Sequence, residues 1–194
     1  MGKIIVKDKI TRNIPNFLTM LNMMLGLMSI LLLMGPELLK KELIVAALIC
    51  LGGIVDFFDG YIARKLKAVS NMGKQLDSFA DLATFGIAPI CLAYHAAPSE
   101  YSLFIAIPCG IYIVAGSYRL ARYNLNDFSD HFMGLPITTA GILLSVYSAA
   151  QLQWADPQHS SLYAAITTMF ILLLSIMMVS RVKIKRLHRH RSAP

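Results

Sequence analysis

Apolar stretches of about twenty residues, the length that spans a membrane as a helix, recur along this chain of 194 residues. They lie at about 15–35, 43–63, 75–95, 102–122, 135–154 and 161–181. In hydrocarbon every backbone N–H and C=O must find an internal partner, so such stretches fold as helices. The composition agrees, with 56% hydrophobic residues and a mean hydropathy of +0.59. The sequence predicts an all-α integral membrane protein with six transmembrane helices, forming one domain over residues 1–194.

Basic residues are distributed unevenly between the two sides of these predicted spans. Of the 18 Lys and Arg residues, all but Lys40 and Lys41 fall on the side that carries both termini. Cytoplasmic loops of membrane proteins carry the excess of Lys and Arg, so the pattern predicts that both termini are cytoplasmic. The chain ends in a basic tail, 182–194, which is typical of a segment that attracts anionic membrane lipids. We expect no nucleic-acid binding from a tail that begins where a span ends.

Four carboxylates interrupt the apolar pattern, on or beside helix-length apolar segments: Asp56, Asp59, Asp77 and Asp81. A carboxylate at membrane depth is costly unless it is paired or coordinated. On helices, Asp56 and Asp59 share one face, and so do Asp77 and Asp81. Divalent cations would relieve the repulsion between four acids, and all-oxygen ligation favours Mg²⁺ or Mn²⁺ over zinc. The spacing predicts a site for two divalent ions that acts at phosphorus, with the ion path of a cation carrier as the alternative.

Small residues and an arginine accompany the acids. Gly60 and Gly73 leave room for the backbone to approach a bulky phosphate, and Arg64 supplies a planar fork that suits phosphate oxygens. With Ala63 and the acids they form the pattern D-x2-D-G-x2-A-R-x8-G-x3-D-x3-D. This pattern resembles the signature of the CDP-alcohol phosphatidyltransferase family and matches every one of its fixed positions.

The resemblance implies a CDP-activated lipid, CDP-diacylglycerol, as the donor substrate. It implies that the four acids hold two Mg²⁺ or Mn²⁺ ions and that Asp81 is also the catalytic base. The residues that it implies for CDP-lipid binding are Gly60, Ala63, Arg64 and Gly73, together with Asn16 and Thr19 at the entry to the first span. It further implies a homodimer. We expect the protein in the cell (inner/plasma) membrane among membrane lipids. The stretch from Asp56 to Arg64 covers roughly 12 Å as a helix, so the active site should lie one to two turns below the cytoplasmic surface and face the cytoplasm.

Three further segments resemble the branch of the family that uses L-serine as the acceptor: 76–89, 118–124 and 132–136. Arg119 and Arg122 share one helix face, and an arginine fork suits the carboxylate of an amino acid. We therefore expect these arginines to bind serine and the products to be phosphatidylserine and CMP. Two alternatives stay open at this point: the arginines are only membrane anchors, or the acceptor is glycerol 3-phosphate or inositol phosphate. The ester or ether linkage of the lipid chains is also left open.

Overall fold

Helices dominate the computed structural model of the chain. It describes residues 2–36, 38–66, 68–125, 131–154, 157–180 and 183–185, and describes side chains over 14–36, 38–66, 68–125, 134–154 and 158–180. The helices are α1 (Gly2–Met34), α2 (Lys41–Lys65), α3 (Asn71–Asp81), α4 (Ala88–Ala96), α5 (Ser102–Leu125), α6 (Ile137–Trp154) and α7 (Ser160–Val179). A π-helical turn, Leu82–Ile87, joins α3 to α4, and short 3-10 turns lie at Ser99–Tyr101 and Pro157–His159.

Five of the described helical segments are long and apolar enough to cross a membrane, which makes this a multi-pass arrangement. They are Ile14–Met34, Lys41–Lys65, Asn71–Ala96, Ser99–Leu125 and Ser160–Val179. Helix α6 lies where the fifth span was predicted but is not among them, because Thr, Ser and Gln residues dilute its apolar character. The prediction of six spans is therefore confirmed for five, and the crossing of α6 stays a prediction.

Two short strands lie outside the all-α prediction. Strand β1 (His131–Met133) pairs antiparallel with β2 (Lys183–Lys185), and Phe132 lies opposite Ile184. Gly134 follows β1 with a φ of +74°, a conformation that an L side chain rarely adopts. The basic tail predicted at 182–194 lies outside the described residues, apart from the backbone of β2.

The π-helical turn is held at the centre of the bundle. Tyr112 from α5 donates a hydrogen bond to the carbonyl of Phe85 at 3.1 Å, and Thr84 donates to the carbonyl of Asn22 at 2.9 Å. A Cβ on Gly141 of α6 would lie 2.6 Å from the Phe85 carbonyl oxygen, so only glycine permits this close approach. These contacts fix the turn against α1, α5 and α6 and thereby position the C-terminal end of α3, which carries Asp77 and Asp81.

Two contacts define the ends of the bundle. At one end, Thr19 of α1 contacts Asp59 of α2. At the opposite end, His95 of α4 lies 3.3 Å from Glu42, near the start of α2. The four acids lie toward the first end, and the predicted outer residues Lys40 and Lys41 lie at the second. Which end faces the cytoplasm stays a prediction.

Candidate metal centre and adjoining cavity

Three of the four predicted metal ligands converge. Asp56 and Asp59 from α2 and Asp77 from α3 each offer a carboxylate oxygen, and these oxygens all lie within 4.8 Å of one another. Helix α3 begins at an N-cap in which Ser70 Oγ accepts a hydrogen bond from the Gly73 amide at 3.0 Å. The donor set consists only of hard oxygens at mutual distances that one or two small cations can bridge. It therefore fits Mg²⁺ or Mn²⁺.

Two threonines from distant parts of the chain orient these carboxylates. Thr19 Oγ1 lies 3.0 Å from Asp59 Oδ2 and also 3.0 Å from the Pro15 carbonyl oxygen, so its single proton serves one acceptor at a time. Thr138 Oγ1 of α6 donates to Asp56 Oδ2 at 3.4 Å. Thr138 is a site residue that sequence analysis did not identify, because 82 positions separate it from its partner and no local pattern connects them.

Asp81 lies one turn deeper than Asp77 and outside the group of three converging acids. It is only 9% exposed, and its carboxyl group is within hydrogen-bonding reach of Asp56. Its Oδ1 has no hydrogen-bond partner among the described residues. The buried guanidinium of Arg119 interacts electrostatically with Asp81, and the Nε of Arg119 also has no described partner. Asp81 and Arg119 thus form the buried side of the centre.

A cavity of about 440 Å³ adjoins the other side of the centre. Its lining includes every residue predicted to bind the CDP-lipid: Asn16, Thr19, Gly60, Ala63, Arg64 and Gly73. Asp59 and Asp77 also line it, so two of the converging acids face this space. The lining residues that sequence analysis did not assign to the donor include Ser70, Lys74, Tyr123 and Asn124. Tyr123 and Asn124 belong to the segment 118–124 that was singled out for the acceptor.

The two glycines of the motif lie beside polar side chains of the cavity lining. Arg64 Nη1 lies 3.5 Å from the position that a Cβ on Gly60 would take, so the guanidinium passes directly over the Gly60 backbone. A Cβ on Gly73 would lie 3.1 Å from both Asn16 Oδ1 and Ser70 Oγ. A side chain at Gly73 would therefore crowd two polar groups that line the cavity, whereas a Cβ at Gly60 would make an ordinary van der Waals contact with Arg64.

The two predicted serine-binding arginines have different surroundings. Arg119 faces Asp81 inside the bundle, whereas Arg122 Nη1 donates to the carbonyl of Val179 at 3.2 Å and lies 5.8 Å from the Tyr118 ring centroid. Both arginines come from α5, and neither lines the cavity. The structure brings Arg119 to the acids and places Arg122 against the end of α7.

Sequences of known proteins resemble this chain over most of its length. The profile of the CDP-alcohol phosphatidyltransferase family matches residues 12–180. The CDP-diacylglycerol–serine O-phosphatidyltransferase of Bacillus subtilis (strain 168) is 38% identical over 180 residues, which are 91% of this chain and 92% of the relative. The protein of the same name in Methanocaldococcus jannaschii is 39% identical over 131 residues, 68% of this chain and 58% of the relative. The archaetidylserine synthase of Methanothermobacter thermautotrophicus is 30% identical over 178 residues, 89% of this chain and 70% of the relative.

Proposed function

The chain belongs to the CDP-alcohol phosphatidyltransferase family, and on that premise we propose that it transfers the phosphatidyl group of CDP-diacylglycerol, or of an ether-lipid equivalent, to the hydroxyl of L-serine. The products are phosphatidylserine and CMP. The observation that carries the proposal is the adjacency of the converging acids to a cavity lined by all six residues assigned to the CDP-lipid. The names of the relatives support serine as the acceptor.

The donor occupies the cavity in this proposal. Arg64 and Lys74 bring positive charge to its lining, and Asp59 and Asp77 lie at the edge where the diphosphate meets the acids. Pro15, Asn16 and Thr19 of α1 line the same space. The lipid chains extend into the bilayer along the apolar outer surfaces of the helices, because only the polar headgroup needs the cavity.

The acids hold the metal ions. Asp56, Asp59 and Asp77 are the ligands that converge, and Asp81 is the fourth carboxylate beside Asp56. Two Mg²⁺ or Mn²⁺ ions, when bound, supply positive charge that stabilises the developing charge on the phosphate oxygens. Thr19 and Thr138 hold two of the carboxylates in orientation through their hydroxyl groups.

The reaction is a displacement at the phosphorus that carries the lipid. The serine hydroxyl oxygen forms a bond to this phosphorus, while the bond between phosphorus and the oxygen of CMP breaks and CMP leaves with the electron pair. The serine hydroxyl proton passes to Asp81, which acts as the general base. Arg119, beside Asp81, receives the carboxylate of serine as a charge-assisted pair.

The test is direct. Purified full-length protein with CDP-diacylglycerol and Mn²⁺ is supplied with L-serine, glycerol 3-phosphate or inositol phosphate, and release of CMP is measured. We expect CMP only with serine, and loss of the activity when the metal is chelated. CMP release with one of the phosphorylated alcohols instead would overturn the assignment of the acceptor. Absence of CMP release with every alcohol would favour the cation carrier.

We also propose that both termini and the cavity face the cytoplasm, that α6 crosses the membrane, and that the chain forms a homodimer. The distribution of Lys and Arg supports the orientation, and the family resemblance supports the dimer. Reporter fusions at residue 194 and at the turn after Ala96 should report opposite sides of the membrane. The mass of the purified protein, corrected for bound detergent, tests the dimer.

A further inference from the structure

Asn22 of α1 is a buried polar residue that the proposed function does not use. Its exposure is 0%, and neither Nδ2 nor Oδ1 has a hydrogen-bond partner among the described residues. A buried amide without partners destabilises the folded state, and few such groups occur in folded proteins. Leucine has nearly the same shape and would avoid this cost. The presence of asparagine at this depth therefore calls for a specific partner.

The surrounding contacts place Asn22 directly beneath the acids. Thr19, one turn earlier on α1, contacts Asp59. A Cβ on Gly52 of α2 would lie 2.9 Å from Asn22 Oδ1, and Gly52 is one turn below Asp56. Thr84, which bonds the Asn22 backbone carbonyl, is likewise about one turn below Asp81. Asn22, Gly52 and Thr84 thus form the floor of the metal centre.

Helix direction turns the side chains on this floor toward each other. The Cα–Cβ bonds of a helix tilt toward its N-terminus. Helix α1 starts at the end that holds the acids, so Asn22 tilts toward them. Helix α2 runs the opposite way, so Asp56 tilts toward the floor. The carboxyl group of Asp56 in turn contacts that of Asp81, whose Oδ1 lacks a described partner.

We propose that Asn22 is a positioning residue for the acid cluster. Its amide Nδ2 donates to a buried water molecule, and this water donates to Asp81 Oδ1. One bound water satisfies the orphaned donor of Asn22 and the orphaned acceptor of Asp81 together. Thr19 orients Asp59, Thr138 orients Asp56, and Asn22 completes the set by orienting Asp81. This inference rests on the proposed function, because it assigns Asn22 to the same metal centre.

The experiment measures Mn²⁺ affinity of the full-length protein in detergent, by the electron paramagnetic resonance signal of free Mn²⁺. Asn22→Leu keeps the shape and removes both polar atoms. We expect its Mn²⁺ affinity to fall about 10- to 100-fold, as for other groups that orient metal ligands, with kcat falling in parallel. Ser29→Ala is the matched control, since Ser29 is equally buried on α1 but bonds only the carbonyl of Leu25.

A second variant changes Gly52, the residue of α2 that lies against the side chain of Asn22. In Gly52→Ala the new Cβ would lie 2.7 Å from Thr84 Cγ2 and 2.9 Å from Asn22 Oδ1, so both side chains would have to shift, and we expect a similar loss of Mn²⁺ affinity. Gly110→Ala is its control, because nothing lies within 4 Å of a Cβ at Gly110. If Asn22→Leu does not yield folded protein, Gly52→Ala decides. Unchanged Mn²⁺ affinity in the deciding variant overturns the inference.

A double-mutant comparison tests whether Asn22 acts through Asp81. If it does, Asn22→Leu combined with Asp81→Asn should bind Mn²⁺ no more weakly than Asp81→Asn alone. Additive losses would show that Asn22 acts elsewhere and would overturn the inference. The proposed function fails separately: in that case Asp56→Ala would bind Mn²⁺ as tightly as the unsubstituted protein, whatever Asn22→Leu does.

Discussion

Two regions of this bundle bury polar side chains in opposite ways. On α6 and α7, hydroxyl groups are satisfied within their own helix or by the neighbouring helix. Three serines donate at 2.8 Å to the carbonyl four residues earlier: Ser145, Ser148 and Ser175. Thr167 lies 2.8 Å from Gln151 Oε1 and 3.1 Å from the hydroxyl of Tyr147. The exception is the hydroxyl of Thr168, which has no described partner.

The region between α1, α2, α3 and α5 contrasts with this pattern. There, deeply buried polar atoms have no hydrogen-bond partner among the described residues: both side-chain polar atoms of Asn22, Oδ1 of Asp81 and Nε of Arg119. A hydroxyl that bonds its own helix stabilises the fold and needs no ligand. Acids and amides with unpartnered atoms at the same depth are what the proposed metal site predicts, because a bound ligand would satisfy them. We therefore distinguish the polar groups of α6 and α7, which stabilise the fold, from the polar groups of the proposed metal site.

The largest effect is expected from removing a converging acid. Asp56→Ala or Asp77→Ala should lower kcat by several orders of magnitude, because the ions carry most of the charge stabilisation. The fold should persist, since one fewer acid relieves repulsion in the cluster. Release of CMP by monodisperse protein measures the effect. Retention of more than about a tenth of the activity would show that these acids are not ligands of catalytic metal ions.

A substitution of Asp81 tests whether this acid is the catalytic base or a metal ligand. Asp81→Asn keeps the shape and removes the ability to accept a proton, so CMP release should fall about 10²- to 10⁴-fold. Affinity for CDP-diacylglycerol should stay close to that of the unsubstituted protein, because Asp81 does not line the cavity. A loss of donor affinity as large as the loss of rate would make Asp81 primarily a metal ligand.

Arg119 and Arg122 lie on the same helix, α5, and substituting each in turn tests which of them binds serine. Arg119→Lys keeps the charge and loses the planar fork, so the KM for serine should rise about 10- to 100-fold. The KM for the CDP-lipid should change little. Arg122→Lys should have a smaller effect, since Arg122 already bonds the Val179 carbonyl. If neither substitution changes the serine KM, both arginines are membrane anchors and serine binds elsewhere.

The smallest effect is expected from a substitution among the hydrogen-bonded polar groups of α6 and α7. Thr167→Val removes the hydroxyl that joins Tyr147 to Gln151, which should cost about 1–3 kcal/mol of stability. The melting temperature should fall by roughly 2–4 °C per kcal/mol for a chain of this size. Thr168→Val is the matched control, because its hydroxyl has no described partner and its loss should cost nothing. A change in kcat with Thr167→Val would contradict the separation of the two regions.

Local sequence patterns predicted the helices well. The predicted span 43–63 corresponds to Lys41–Lys65, and the span 161–181 to Ser160–Val179. Helix α6 was placed correctly, yet its crossing could not be read from hydropathy alone, since it buries Ser145, Ser148 and Gln151 against neighbours. The π-helical turn after Asp81 was not foreseen, because its geometry depends on contacts from Tyr112 and Asn22 in other helices.

The acid cluster shows where sequence and tertiary structure divide. Spacing along a helix places Asp56 and Asp59 on one face, because helical periodicity is a local property. The family motif likewise identified part of the lining of the cavity: Gly60, Ala63, Arg64 and Gly73. The partners of the acids are different: Thr19 lies 40 positions from Asp59, and Thr138 lies 82 positions from Asp56. Only the packing of separate helices brings these side chains together. Helical periodicity shows which residues share a face of one helix, but it does not show which distant helix packs against that face.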